Sequence, residues 1–74
     1  MKLPALKPHL LVKALNKLEF YEARQTGSHI ILANKNVKKI ISVPIHGNKD
    51  IKKGLLRSII RQTNLTVKDF LELL

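Results

Sequence analysis

The chain has 74 residues, 45% of them apolar, with no cysteine and with 14 Lys and Arg against 5 Asp and Glu, a net charge of +9. The absence of cysteine excludes disulfides, thiolate zinc sites and a cysteine nucleophile. The apolar content argues against disorder, and the length fits one small domain over residues 1–74. No signal peptide or membrane span is predicted, so we expect a cytoplasmic protein without a membrane partner.

An amphipathic helix is predicted over about residues 8–18. Pro8 suits the first turn of a helix, where its missing N–H group is not needed. At 100° per residue, apolar side chains fall on one side of this helix: Leu11, Ala14, Leu15 and Leu18. His9 falls on the polar side and is predicted to be a surface residue.

Three strands follow, predicted over Phe20–Gln25, Ser28–Ala33 and Lys39–Val43. Gly27 forms the first turn and Asn34–Asn36 the second, since asparagine tolerates left-handed backbone angles. Pro44 ends the third strand, because proline cannot donate to a sheet ladder. Short turns between successive strands predict an antiparallel meander.

The second strand can be oriented in two ways. If its core side chains are Ile30 and Leu32, alternation places His29 on the opposite face, with Ile31 and Ala33. The reverse orientation would bury His29. We favour the first orientation, because the third strand already supplies one apolar face from Ile41, Val43 and Ile45.

A second amphipathic helix is predicted over Lys53–Thr63, with Asp50 as its N-cap and Asn64 as a left-handed C-cap. Its apolar arc comprises Leu55, Leu56, Ile59 and Ile60. A separate basic stripe, spaced by four residues, comprises Lys53, Arg57 and Arg61. Like charges at this spacing repel, so the stripe is easier to understand if an anion lies along it.

A last short helix is predicted from Thr66 to Leu74. Thr66 and Asp69 resemble a capping box, and the side chains predicted to dock on the core are Phe70, Leu71 and Leu74. The whole order is helix, three antiparallel strands, helix and short helix, which is an α+β fold with helices on one face of the sheet. Double-stranded-RNA-binding domains have the same α-β-β-β-α order.

The positive charge is concentrated in the second half of the chain. Eight basic residues and a single acid, Asp50, lie between Lys35 and Arg61. Such an excess attracts nucleic acids, acidic proteins or anionic membranes. A solvated lysine-rich surface is the alternative, whereas a membrane-surface domain fits poorly with three strands and one basic stripe.

Metal-free RNA cleavage needs only a proton-transfer group and cations for the phosphate. Free histidine titrates near pH 6.5, and His29 is the candidate for this transfer. His46 is a possible second proton-transfer group or RNA contact; alternatively it closes the turn after the third strand. The candidate phosphate contacts are Lys49, Lys52, Lys53, Arg57 and Arg61.

Other chemistries find less support in the sequence. His29 could instead be a partly buried histidine bonded to backbone. Ser28 is its neighbour on a predicted strand, so the two side chains should point apart and form no nucleophile–base pair. Three histidines and few acids predict no metal site, and no glycine-rich loop predicts a nucleotide cofactor. No cofactor is therefore expected.

Three segments together resemble the HicA family of toxin–antitoxin ribonucleases. The first is Leu18-Glu19-Phe20, and the second is the signature Gly27-Ser28-His29. The third is a long block in two parts, Val43–Lys49 followed by Lys52–Gln62. The resemblance spans about residues 8–71. This sequence departs from the family at three positions. Glu19 and Asn64 each stand where the family commonly has glycine. Ile30 follows the histidine at a position where the family commonly has a polar or aromatic residue.

The resemblance implies a metal-independent mRNA endoribonuclease toxin with a double-stranded-RNA-binding-like fold and His29 as the catalytic residue. It also implies RNA as substrate and a cognate HicB-type antitoxin that covers the active site. The alternative function is a non-catalytic RNA-binding module of the same fold, which would hold A-form RNA by shape and phosphate contacts. The substitution His29→Ala separates the two functions. A nuclease should lose turnover while it still binds RNA, whereas a binding module should lose little.

Overall fold

A computed structural model describes residues 3–74 of the chain. It confirms the α+β class and the predicted order of elements, with bounds within a residue or two of the prediction for the first five. The elements are α1 (Pro8–Lys17), β1 (Phe20–Gln25), β2 (His29–Asn34), β3 (Ile40–Pro44), α2 (Lys53–Gln62) and α3 (Val67–Leu71). Within residues 3–74, no helix has the length and apolarity needed to cross a membrane.

The sheet is an open antiparallel meander in the order β1-β2-β3, so β2 is the central strand. Ile30 pairs with Val43 and Leu32 with Ile41, which places these four side chains on one face. The pairing of β1 with β2 shifts register between Glu22 and Arg24, so one residue of β1 is left out of the pairing there. Pro44 is accommodated because β3 is an edge strand.

One face of the sheet is covered and the other is open. All four of those paired side chains are buried, and they pack with the buried faces of α1, α2 and α3 in one cluster. His29, Ile31 and Ala33 are only half-buried on the opposite face. The favoured orientation of β2 is therefore confirmed, and His29 lies on the open face of the sheet.

The segment before α1 belongs to the core, which the sequence analysis did not predict. Leu3 and Leu6 are buried in the same cluster as the sheet and helices. The backbone N–H of Ile51 donates to the carbonyl of Leu6 at 2.8 Å, which ties this segment to the loop before α2. Two separated loops are thus fixed against each other.

Asp50 does not cap α2, contrary to the prediction. The helix begins at Lys53, and its N-cap is Lys52, whose side chain makes no capping hydrogen bond within residues 3–74. Asp50 lies too far upstream and instead pairs with Lys7 at 3.0 Å between the carboxylate oxygen and Nζ. A tertiary ion pair has replaced the predicted local contact.

The last helix is shorter than predicted, ending at Leu71 rather than Leu74. Its predicted cap is confirmed, because Thr66 Oγ1 accepts a hydrogen bond from the Asp69 N–H at 3.1 Å. Phe70 is fully buried, as predicted, and Leu71 is half-buried. Leu74 does not dock: the chain has left the helix by then, and the side chain is 51% exposed.

Within residues 3–74, two non-glycine residues adopt left-handed backbone angles, and both stand where the family that the sequence resembles usually has glycine. Glu19 has φ of 71° directly after the C-cap of α1, and Asn64 has φ of 66° after α2. Asn64 thus forms the left-handed cap that the sequence predicted. A left-handed residue ends a helix by redirecting the chain, which glycine does without a Cβ penalty.

Replacing Glu19 with glycine is expected to stabilise the fold by about 0.5–1 kcal/mol, because relief of the left-handed strain outweighs the entropy that glycine adds to the unfolded chain. The melting temperature should rise by a few degrees, as measured by circular dichroism. Asn64→Gly is the matched control and should gain less, because asparagine already tolerates these angles. A lower melting temperature for Glu19→Gly would contradict this account.

Candidate active site

The turn between β1 and β2 is organised by Thr26. Its Oγ1 accepts hydrogen bonds from the backbone N–H of His29 at 3.0 Å and of Ser28 at 3.4 Å. The Thr26 N–H donates to the carbonyl of His29 at 2.9 Å. One threonine hydroxyl therefore fixes the backbone on which the histidine is carried, and β2 begins at His29.

Gly27 lies in this turn, but neither backbone strain nor crowding explains why it is glycine. Its φ is not positive, unlike that of Gly47, and a Cβ built at Gly27 would meet no heavy atom within 4 Å. The space beside the turn is therefore open next to His29.

The His29 ring is held by its neighbour Ser28. Ser28 Oγ lies 2.9 Å from His29 Nδ1. The prediction that these side chains point apart was wrong, because Ser28 precedes the strand and strand alternation does not apply to it. The ring is bonded to this side chain rather than to backbone, and Nε2 has no hydrogen-bond partner within residues 3–74.

β3 brings the loop that carries His46 close to this histidine. His29 is paired across the sheet with Pro44, so their side chains share the open face. The Ile45 N–H extends the pairing by donating to the Ser28 carbonyl at 2.7 Å. His46 follows Ile45 and is exposed. The chain turns at the next residue, Gly47, whose φ is 60°. The structure thus places both histidines at the same end of the sheet.

A cleft of about 420 Å³, here called the loop cleft, opens between this loop and the start of α2. Its lining residues are Pro44, His46, Lys49, Asp50, Ile51, Lys52 and Leu55. Pro44 connects the cleft to His29, its partner across the sheet. Three of the sequence-predicted site residues, namely His46, Lys49 and Lys52, therefore line one cleft, whereas His29 lies outside its lining, across the sheet from Pro44.

The basic stripe on α2 lies further away along the helix. Lys53, Arg57 and Arg61 are all exposed, and at 1.5 Å per residue they cover about 12 Å of helix. Arg57 and Arg61 line a second groove, between α2 and α3. The five predicted phosphate contacts thus form two groups, one at the loop cleft and one along the stripe.

The positive charge of both groups is not compensated by neighbouring acids. Residues 3–74, the described part of the chain, contain one ion pair, and it joins Lys7 to Asp50. The lysines of the loop cleft and the arginines of the stripe are free to meet an external anion. In the same residues, no three side chains of His, Asp or Glu come together as metal ligands.

Sequence analysis missed the residues that support the site. Thr26 could have been found, because a threonine three residues before the histidine is a spacing at which its hydroxyl bonds local backbone N–H groups. Pro44 and Leu55 could not, because they line the same cleft only once the loop has folded against α2. The contact of Ser28 with His29 depends on where the strand begins.

A model of the family described as HicA toxin of bacterial toxin–antitoxin systems matches residues 10–65 of the chain. The match includes all of the turn that carries His29, the loop cleft and the basic stripe. No curated protein is a significant match to the chain.

Proposed function

The chain belongs to the HicA family of toxins of bacterial toxin–antitoxin systems, and we propose that it is a metal-independent endoribonuclease that cleaves mRNA. The observation that carries the proposal is the His29 ring, oriented by Ser28 and with Nε2 free, on the open face beside the loop cleft. A proton-transfer group next to unpaired cations is the minimum that RNA cleavage requires.

In the proposed reaction, His29 acts as general base. The reaction requires the tautomer in which Nδ1–H donates to Ser28 Oγ, so that Nε2 is unprotonated and able to take the proton of a ribose 2′-OH. The 2′-oxygen attacks the adjacent phosphorus, and the bond to the 5′-oxygen breaks. The products are a 2′,3′-cyclic phosphate and a 5′-hydroxyl. His46 is the proposed second group, as proton donor to the leaving oxygen or as an RNA contact.

The lysines and arginines are proposed to have two different roles. Lys49 and Lys52 line the loop cleft, which reaches His29 through its cross-strand partner Pro44, and they are proposed to stabilise the charge that develops on the phosphorane. Lys53, Arg57 and Arg61 are proposed to bind phosphates further along the RNA strand.

Ser28→Ala is expected to lower the cleavage rate constant by roughly threefold to tenfold and to leave RNA affinity nearly unchanged, because orientation of the base is lost while phosphate contacts remain. Ser28→Thr keeps the hydroxyl and should restore most of the rate. Single-turnover cleavage and anisotropy titrations measure the two effects separately. An equal loss in both variants would show that the hydroxyl does not orient the ring.

Lys53→Ala combined with Arg57→Ala is expected to weaken RNA binding and to flatten its dependence on salt. Each phosphate contact contributes about 0.7 to the slope of log affinity against log salt for a single strand, so the slope should fall by roughly 1.4. Titrations at several NaCl concentrations measure it, with Lys13→Ala on α1 as control. An unchanged slope would rule out α2 as a phosphate site.

Membership of the family implies an antitoxin partner. We propose that this partner is of the HicB type, that it covers His29 from the open face of the sheet, and that it offers acidic groups to the basic stripe. The toxin and its partner are proposed to act in the cytoplasm, where the mRNA is.

The deciding experiment is incubation of purified chain with a purified mRNA in excess EDTA. Cleavage that leaves 5′-hydroxyl and cyclic-phosphate ends supports the proposed reaction. If the chain binds the RNA but leaves it intact, the non-catalytic RNA-binding module replaces the nuclease. Cleavage that stops in EDTA would contradict the metal-independent reaction.

A further inference from the structure

The loop cleft is built before any ligand arrives. The loop is held at one end by the hydrogen bond from the Ile45 N–H to Ser28, and at the other by that from the Ile51 N–H to Leu6. Lys7 Nζ reaches the loop between these points and donates to the carbonyl of Asn48. A cleft with fixed walls loses little conformational freedom when it binds.

Its lining combines two kinds of chemistry. Pro44, Ile51 and Leu55 present apolar surface, and Ile51 is buried at the core end of the cleft. Lys49 and Lys52 are exposed cations at the solvent side. A ligand that fills such a cleft has a flat apolar part and an anionic part. A nucleotide, with its base and phosphate, has both.

The one acid in the lining does not oppose an anion. Asp50 is paired with Lys7 at 3.0 Å, so its charge is largely offset by a cation outside the lining. Lys49, Lys52 and the imidazole of His46 remain to face the ligand. The electrostatic balance of the cleft therefore favours a phosphate.

We propose that the loop cleft binds one unpaired nucleotide of the RNA, with its base against Leu55 and Pro44 and its phosphate at Lys49 and Lys52. The proposal rests on the proposed function in taking RNA as the substrate. Because Pro44 is the cross-strand partner of His29, this nucleotide is a close neighbour of the phosphate that is cut. The cleft therefore sets the position of cleavage.

The nucleotide must be unpaired for a physical reason. In an A-form helix both faces of each base are stacked, and the deep major groove is closed to side chains. A base can lie against Leu55 only when it is released from its neighbours. The substrate is thus single-stranded RNA, even though the order of elements is that of domains that bind duplexes.

The test measures binding to a single-stranded 2′-O-methyl RNA, which cannot be cleaved because its 2′-oxygen carries no proton. Leu55→Gln keeps the size of the side chain but removes its apolar surface. It should weaken binding roughly fivefold, the effect of withdrawing about 40 Å² of apolar contact surface from the base at ~25 cal/mol per Å². Leu10→Gln on α1 is the matched control, since Leu10 is 41% exposed and Leu55 37%. It should change nothing.

The same strand annealed to its complement provides the second arm. We expect the duplex to bind more weakly than the single strand and to be indifferent to Leu55→Gln. Lys52→Ala should lower the salt slope of single-strand binding by about 0.7, the share of one phosphate contact. Equal effects of Leu55→Gln and Leu10→Gln, or of Leu55→Gln on both forms of RNA, would overturn the proposal.

The failure of this inference can be told from failure of the proposed function. If the wild-type chain cuts unmodified RNA in EDTA but Leu55→Gln binds the 2′-O-methyl strand normally, the nuclease stands and the cleft is not its nucleotide site. If Leu55→Gln weakens binding but the wild type does not cut, the cleft binds a nucleotide on a protein that is not a nuclease.

Discussion

Replacement of His29 by alanine is expected to slow RNA cleavage by orders of magnitude while RNA binding and stability stay close to those of the wild type. General acid–base groups contribute typically 10²–10⁴-fold to a rate, so the variant should lose about this much. Binding should persist because the cations lie on other elements, at the loop cleft and along α2. The fold should persist because the ring lies on the open face, outside the buried core.

His9→Ala is the matched control for this experiment, since His9 is an exposed histidine on α1. It should cut RNA at the wild-type rate, and circular dichroism should show the same melting temperature for all three proteins. If the His29→Ala variant cleaves RNA at the wild-type rate, His29 takes no part in the reaction. His46→Ala in the same assay measures the contribution of the second histidine.

Replacement of Phe70 by alanine is expected to cost about 3–5 kcal/mol of folding free energy, the usual range for a buried phenylalanine. Phe70 is fully buried and is the one fully buried side chain that α3 supplies to the core. A domain this small has a stability on the order of 5 kcal/mol, so the variant should be largely unfolded or melt about 15 °C lower or more.

Leu74→Ala is the control for Phe70→Ala. It tests whether the loss of folding free energy comes from the burial of Phe70 rather than from its position near residue 74. Leu74 is 51% exposed, so its removal should shift the melting temperature by no more than about 2 °C. Thermal and urea unfolding followed by circular dichroism give both values. A Phe70→Ala protein as stable as Leu74→Ala would mean that α3 does not support the core.

Periodicity carried most of the fold prediction. The helices α1 and α2 have clear apolar arcs, and the strands are short alternating segments between turn residues, so these five elements were predicted within a residue or two. The orientation of β2 followed from a balance between strands: with Ile41 and Val43 facing the helices, Ile30 and Leu32 had to face them too. His29 was placed on the open face by that reasoning.

The errors lie where a tertiary contact replaced a local one. Asp50 has the sequence position of a helix cap, yet Lys7, 43 residues away in the chain, holds it instead. Ser28 meets His29 because the strand starts one residue later than predicted. Leu3 and Leu6 carry no periodic signal before α1, and they are buried in a cluster whose other members lie far away in the sequence.

Lys7 with Asp50 is the one ion pair among residues 3–74, and this has a consequence for the protein when it is alone. With a net charge of +9 and so little internal pairing, the folded chain repels itself, and an unfolded chain spreads the same charge over a larger volume. Added salt screens this repulsion, so it should make the free toxin more stable while it weakens RNA binding. An acidic partner supplies the missing counter-charge directly, and an antitoxin of that kind would preserve the fold of the protein it silences.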